Sequence, residues 1–402
     1  MQETNFIVRE PLLDPKQRVI GYELSWQLSG VTKPTADDME ALMGFVAEHL
    51  VNEDGDWLLR KKILFVDAVP ELLSTDALHA MPPEFTVLTL ARKDFDNEDT
   101  RSAIRALRAG GVGIALRDAD LSKLDKNILN DVSYVEVKFS GADVAAQARA
   151  YASLKQSSVR MVGRPVTTWA DFDACASLGL DAFVGKLHLT PRPGNPVKGL
   201  NPAQTVILQL MQLVKKNADV QQLESALKRD AALSYKLLRF INSAGFGLGR
   251  EIQSLRQALA LLGYAPLYRW LTLLLATAST SGYSPVLMET AVVRGRLTEL
   301  LGQEFLPKGE AENLFVTGMF SLLDRLLGIP MKEVLETIQL SDDVVQALMT
   351  RDGMYGPYLA LAEACELNSM LVGSLASSLN ISPEDVNQAH LQALAWAQNI
   401  ET

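Results

Sequence analysis

Residues 6–27 read FIVREPLLDPKQRVIGYELSWQ. Two β-rich runs, Phe6–Leu12 and Val19–Trp26, flank the short turn Asp14-Pro15-Lys16-Gln17-Arg18. A parallel crossover takes about a dozen residues or more, so these two strands must form an antiparallel hairpin. Downstream, six more β-rich runs follow: Ile63–Val66, Thr86–Leu90, Val112–Leu116, Tyr134–Phe139, Val159–Val162 and Ala182–Leu187. Several are continuously apolar, as expected of strands buried on both faces. Helical patterns at Ala36–Asn52, Asp99–Ala109, Asp143–Lys155 and Thr168–Ser177 fall between most of them. Thr35 is placed to cap the first of these helices, with Asp37 and Asp38 in its first turn. Alternation of strand and helix predicts a parallel sheet, and about eight strands predict a closed α/β barrel of the TIM-like kind, made irregular by its antiparallel first hairpin.

The pattern changes at Thr190. TPRPGNPVKGLNP, residues 190–202, is dense in proline and glycine and reads as a linker. Beyond it the strand signal stops and amphipathic helical patterns run almost unbroken to Ala397, with Gly263, Gly282, Gly302, Gly328 and Gly353 near segment ends. The expected division is therefore a barrel over 1–192, a linker over 193–202 and an all-helical domain over 203–402.

Composition narrows the function classes. The net charge of −10 offers no footprint for nucleic acid, whose phosphates are bound by Lys and Arg, and it disfavours anionic membranes. The most apolar stretch, Leu267–Ala278, is too short to span a bilayer and contains Arg269. The N-terminus has neither the basic nor the apolar region of a signal peptide, so a bacterial cytoplasm is the expected compartment. Cys175 and Cys365 stand far apart in apolar patterns and are expected to be buried thiols.

Ligands of a parallel barrel gather at the C-terminal ends of its strands. The polar residues there are Glu23 and Gln27, Asp67, Arg92, Arg117 and Asp118, Lys138 and Arg164. A divalent-metal phosphodiesterase needs several carboxylates converging on one point, to hold the ion and activate water. Only Glu23, Asp67 and Asp118 qualify, with cations standing among them, so a network of ion pairs without metal or other cofactor is expected. His49, His79, His188 and His390 lack metal-ligand spacing, and no His-Asp pair occurs.

The first half resembles the EAL domain, the bacterial barrel that hydrolyses cyclic di-GMP. The resemblance rests on the opening hairpin quoted above and on LGLDAFVGKLHLTPRP, residues 178–193, which is similar to that family's last strand and exit. The signature Glu-Ala-Leu falls on Glu23, Leu24 and Ser25. The resemblance implies that a phosphate-gripping arginine is replaced by Gln27 and a metal-binding asparagine by Asp67. It places Thr89 and Arg92 near two functional glutamates and Arg117–Ala119 at the paired aspartates. It puts the catalytic lysine at Lys138, turns the glutamates of a late motif into Arg164 and Thr167, and replaces a ligand-contacting glutamine by Val184. Arg164 or Arg92 is then expected to pair with Glu23 in place of a cation.

The second half resembles the HDOD domain, a helical relative of metal-dependent phosphohydrolases without their metal ligands. The residues that carry this are LKRDAALSYKLLRFINSAGFG, 227–247, and IQSLRQALALLGYAPLYRWL, 252–271, with Asp230, Asn242, Ser243 and Gly263 as motif positions. On their own terms Asn242 and Ser243 read as residues that satisfy the backbone of a tight turn. EAL followed by HDOD is itself a known architecture. From these substitutions the expected function is a non-catalytic regulator in cyclic di-GMP-linked signalling, with both domains docking protein partners. A cyclic di-GMP receptor without hydrolysis is the alternative, and a weak phosphodiesterase the third. By resemblance alone, a homodimer is expected.

Overall fold

In the computed structural model the described residues are 5–27, 34–117, 126–138, 144–190, 202–242, 252–277, 285–307, 310–338 and 340–399. Of the linker expected over 193–202, residues 193–201 lie outside them, as do Asp118 and Ser243, and Pro202 already begins a helix.

Eight strands close a barrel in chain order: β1 (Phe6–Leu13), β2 (Val19–Gln27), β3 (Ile63–Asp67), β4 (Thr86–Ala91), β5 (Gly113–Arg117), β6 (Tyr134–Val137), β7 (Arg160–Gly163) and β8 (Ala182–Val184). β1 runs antiparallel to both neighbours, and every other pair is parallel. Asp14 reverses the chain. Its carboxylate accepts from Lys16 N at 2.8 Å and Arg18 N at 2.9 Å, while Gln17 takes a left-handed φ of 62°. Gly21 is required where β2 meets β3, because a Cβ there would lie 2.1 Å from the Ile63 carbonyl oxygen. The interior layer of the barrel is apolar, built from Leu12, Phe65, Val87, Ala115, Tyr134, Val162, Ala182 and Val184. Each large apolar side chain sealed in this way contributes about 1.5–3 kcal/mol.

Among the described residues six α-helices lie between the strands: α1 (Ala36–Leu50), α2 (Asp76–His79), α3 (Glu98–Ala109), α4 (Lys126–Asp131), α5 (Val144–Leu154) and α6 (Trp169–Ser177). Thr35 caps α1 in a reciprocal pair with Asp38. The run expected over Ala182–Leu187 ends as a strand at Val184. Gly185 follows, close against the Val166 carbonyl, and then a single 3₁₀ turn, Leu187–Leu189.

The rest is helical: α7 (Pro202–Lys215), α8 (Val220–Leu227), α9 (Ala231–Ile241), α10 (Leu255–Leu262), α11 (Tyr264–Thr277), α12 (Pro285–Gly302), α13 (Ala311–Phe320), α14 (Leu323–Leu327), α15 (Met331–Thr337), α16 (Asp342–Thr350), α17 (Gly356–Leu367), α18 (Val372–Ser378) and α19 (Pro383–Ala397). A single helix expected over Glu310–Leu327 is divided after Phe320, where the Ser321 hydroxyl donates to the Gly318 carbonyl at 2.6 Å. The helix expected from Asn368 begins only at Val372, because Asn368 takes a left-handed φ of 55° and ends α17 instead.

The chain forms two compact units. One comprises residues 1–193 with 284–289 and 361–401; the other holds 194–283 and 290–360. The first therefore unites the barrel with the helices at the end of the chain. β1 meets β8 only at Leu12 and Leu13, which leaves its earlier backbone without a strand on that side. Asn387 of α19 covers the gap: its carbonyl accepts from Ile7 N at 2.8 Å and its amide donates to Asn5 O at 3.0 Å. Glu289, in the first turns of α12, accepts from Lys62 Nζ at 2.5 and 2.7 Å, from the Tyr22 hydroxyl and from the Gln398 amide at 3.2 Å. Burial, with the Glu289 charge, pushes the Tyr22 hydroxyl well above its usual range. In the second unit, α10 and α11 meet at 110° across Gly263, whose φ of 75° permits the corner. Among the described residues no single helix is long and apolar enough to cross a membrane.

Candidate functional site

Strand alternation assembles the site. Phe65, Val87, Ala115, Tyr134 and Val162 point into the barrel, so the residue two places further along each strand does the same at the C-terminal mouth. Those residues are Asp67, Thr89, Arg117, Glu136 and Arg164. Glu23 joins them as the register partner of Phe65.

Arg117 is the hub of this layer. Its Nη1 donates to Asp67 Oδ2 at 2.8 Å. Nε and Nη2 grip Glu136 at 2.8 and 3.1 Å, and Nη2 reaches Glu23 Oε1 at 3.5 Å. Three carboxylates from β2, β3 and β6 thus converge on one guanidinium from β5. Burial opposes the Arg117 charge, but hydrogen bonds and charges from Glu136 and Asp67 outweigh it and hold the group above the usual arginine range. Arg164 Nη1 pairs with the other oxygen of Glu23. Burial pulls the Arg164 guanidinium down, and the charge of Glu10 on β1 acts against that. Thr89 Oγ1 is buried in the same layer with no hydrogen-bond partner.

Above the charges opens a cavity of about 340 Å³, lined by Glu23, Ser25, Trp26, Gln27, Pro34, Asp67, Arg164, Asn368 and Met370. Asn368 and Met370 belong to the segment between α17 and α18, within the barrel's own unit. The Gln27 amide fastens that segment by donating to Ser369 O at 2.9 Å.

Of the residues singled out in the sequence, the structure brings together Glu23, Asp67, Arg117 and Arg164, with Gln27 on the cavity wall. Lys138 is exposed just past the end of β6. Arg92 turns to Asp96, 2.7 Å away on its own 3₁₀ turn, so Arg164, and not Arg92, pairs with Glu23. Glu136 was not foreseen. Its signal lay in the alternation Tyr134-Val135-Glu136-Val137-Lys138, which puts it on the same face as the lysine that drew attention. In the helical unit Asp230 caps α9, accepting from Ala232 N at 2.9 Å and Leu233 N at 3.0 Å. Asn242 ends α9 and takes up both backbone groups of Ile252, accepting from its N–H and donating to its carbonyl, each at 2.8 Å. Gly263 supplies the corner between α10 and α11. Cys175 and Cys365 are buried, which pushes their thiols up to about 11 and about 12.

EAL-type barrels are implied to use a divalent cation. Glu23, Asp67 and Glu136 have the right donor chemistry, but the point they share is filled by the Arg117 guanidinium. Among the described residues no group of three or more His, Cys, Asp or Glu is placed to hold a metal ion. The donor set as arranged does not fit the metal.

Residues 200–327 match the HDOD domain family. Cyclic di-GMP phosphodiesterase CdgJ of Vibrio cholerae serotype O1 is 27% identical to this chain, over 99% of it and 93% of the relative. YuxH of Bacillus subtilis (strain 168) is 24% identical over 98% of each. Solved structures similar to the chain include the PaMucR phosphodiesterase in a c-di-GMP complex, at 17% identity and a TM-score of 0.38 over 48% of this chain and 93% of that one. BlrP1 of Klebsiella pneumoniae with manganese and cyclic di-GMP is similar at 17% identity and a TM-score of 0.38, over 46% of this chain and 55% of that one. The expectation of a non-enzymatic docking or receptor protein does not stand, because a relative aligned with nearly the whole chain is named a phosphodiesterase. That expectation took no account of Glu136, a carboxylate of the site. The chain carries a closed eight-stranded α/β barrel with an antiparallel first strand, followed by a helical region in which residues 200–327 match the HDOD domain family.

Proposed function

We propose that this chain is a cyclic di-GMP phosphodiesterase whose reaction takes place at the barrel mouth. The observation that carries this reading is the convergence of Glu23, Asp67 and Glu136 on Arg117, with Arg164 beside them, under an open cavity. A cyclic dinucleotide presents two phosphodiesters to such a mouth. Arg164, on the cavity wall, supplies the positive charge that a phosphoryl oxygen requires as the transition state forms, while Arg117 holds the carboxylates in place. Hydrolysis adds water to phosphorus, breaks one P–O bond to ribose and leaves a linear dinucleotide. A carboxylate takes the proton from the water, and the departing ribose oxygen ends protonated. Asp67 has the most accessible carboxylate of the three, with 28% of its side chain exposed against 8% for Glu23 and 7% for Glu136, and is assigned the proton. Similarity over 99% of the chain to a protein named for this activity supports the reading.

The test is direct. Purified full-length chain is incubated with cyclic di-GMP, and the linear dinucleotide is followed by chromatography, alongside Glu23→Gln. Product that disappears in the variant is the expected result. Absence of product under all ionic conditions, or an unchanged rate in Glu23→Gln, would overturn the proposal.

A further inference from the structure

We propose that Arg117 is a resident cation, occupying the place where the mouth carboxylates would otherwise hold a divalent metal, so that the site handles its phosphodiester without one. The part concerning the phosphodiester rests on the function proposed above; the part concerning the cation stands on geometry alone.

Three observations carry it. First, the carboxylates come from three separate strands and meet at a single point, the arrangement hard-metal sites use, and a guanidinium is at that point. Second, all three nitrogens of Arg117 are spent on these carboxylates, in a bidentate grip on Glu136 and single contacts to Asp67 and Glu23. The arginine is held by the site rather than passing through it. Third, Glu23 and Glu136 are nearly sealed from solvent, with 8% and 7% of their side chains exposed. Buried carboxylates so close together need a neutralising charge in every state of the protein, and Arg117 with Arg164 supplies it without any ion from solution.

The substitution has a chemical consequence. A guanidinium can hold phosphate oxygens and balance developing charge, but it does not acidify a bound water as a metal does. Activation of water therefore falls to a carboxylate alone, and the reaction continues in the presence of a chelator.

The experiment uses the full chain with Mn²⁺ as the probe. Wild type, Arg117→Ala and Arg117→Lys are titrated with Mn²⁺ by calorimetry and melted with and without it. Wild type is expected to show no Mn²⁺ site. Arg117→Ala, with the buried Glu23 and Glu136 and the partly exposed Asp67 left facing one another, is expected to melt about 10 °C lower, to gain a Mn²⁺ site and to recover most of its melting temperature on binding. Arg117→Lys keeps one charge, melts between the two and takes no Mn²⁺. A Mn²⁺ site in wild type that vanishes in Glu136→Gln would sink the idea, and so would an Arg117→Ala variant that melts with wild type and ignores Mn²⁺. Should Arg117→Ala fail to fold, Mn²⁺ binding by Arg117→Lys overturns the proposal and its absence supports it. Product assays with EDTA separate this inference from the functional reading. Product that survives EDTA supports both. Product abolished by EDTA overturns the metal-free site and leaves the phosphodiesterase. No product, with the Mn²⁺ pattern as expected, overturns the phosphodiesterase and supports the resident cation.

Discussion

Arg117 at the barrel mouth and Arg269 in the helical unit are built from the same parts. Arg269 grips Glu299 through two bonds of 2.7 Å and reaches Glu312 at 3.4 Å, as Arg117 grips Glu136 and reaches Asp67 and Glu23. Both guanidiniums are held above the usual arginine range by these carboxylates against the effect of burial. The surroundings differ. The carbon of the Arg269 guanidinium lies 3.9 Å from the centre of the Phe315 ring, so one face of it is closed by an apolar side chain. Two carboxylates of the Arg117 cluster, Glu23 and Asp67, instead line an open cavity together with Arg164. Perturbed charges alone therefore do not mark a site, since structural ion pairs produce them equally well. Access for a ligand separates the two clusters.

Arg269→Ala should show the largest effect if this contrast holds. It removes the bidentate partner of the buried Glu299 and leaves that carboxylate only Arg296, and is expected to cost about 3 kcal/mol in denaturant unfolding, with cyclic di-GMP turnover per folded molecule unchanged. A loss of turnover at equal folding would break the contrast. Glu23→Gln should do the reverse: turnover falls about 100-fold while the melting temperature falls less than in Arg269→Ala, because the amide oxygen still accepts from one of the two arginines. Asn242→Ala leaves both backbone groups of Ile252 unsatisfied and is expected to cost about 2 kcal/mol without touching turnover, which sharpens the assignment of the helical motif to architecture.

Acid divides the units as well. Burial, and then the charge of Arg9, lowers His390 from 6.5 to about 3. Below pH 6.5 the unfolded chain takes up a proton that the folded barrel unit refuses, so stability is full above that pH and is lost as pH falls toward the folded value. The expected slope is at most about 1.4 kcal/mol per pH unit, and His390→Leu should abolish it. Four of the five tryptophans, Trp26, Trp57, Trp169 and Trp396, belong to the barrel's unit, so urea unfolding followed by tryptophan fluorescence at pH 7 and 5 reads this directly. Glu299 in the helical unit behaves later. Burial pushes it up, but Arg269 and Arg296 overcome that and hold it below 4.5, so its contribution is present above pH 4.5 and is lost only below it. A barrel unit with no acid slope between pH 7 and 5 would contradict the buried, neutral histidine. The smallest expected effect is Asp230→Ala, which removes one helix cap at about 1 kcal/mol, again by denaturant unfolding.

Much of the fold was legible in the sequence because its causes are local. The five-residue turn that forbids a parallel crossover, the short apolar runs and the capping residue Thr35 each act through near neighbours. Glu23, Asp67 and Arg164 could be located as strand-end residues for the same reason. Arg92 misled because a strand-end position says nothing about which partner a long side chain finds, and Asp96 was four residues away. Glu136 escaped because only residues at or past the strand ends were searched, and it lies inside β6, two residues before Lys138.

The sequence by itself determined the strand order, the antiparallel first hairpin, the change from α/β to all-helical and the positions of the motif residues at helix ends. All of these follow from side-chain periodicity and backbone chemistry within a few residues. Only the tertiary structure decided that Arg117 is the point where Glu23, Asp67 and Glu136 meet, and that residues 361–401 return to complete the barrel's unit through Asn387 and the wall formed by Asn368 and Met370. The physical reason is barrel closure. Strand tilt and register bring together residues scores of positions apart, and the unpaired edge of β1 must be satisfied by whatever part of the chain can reach it.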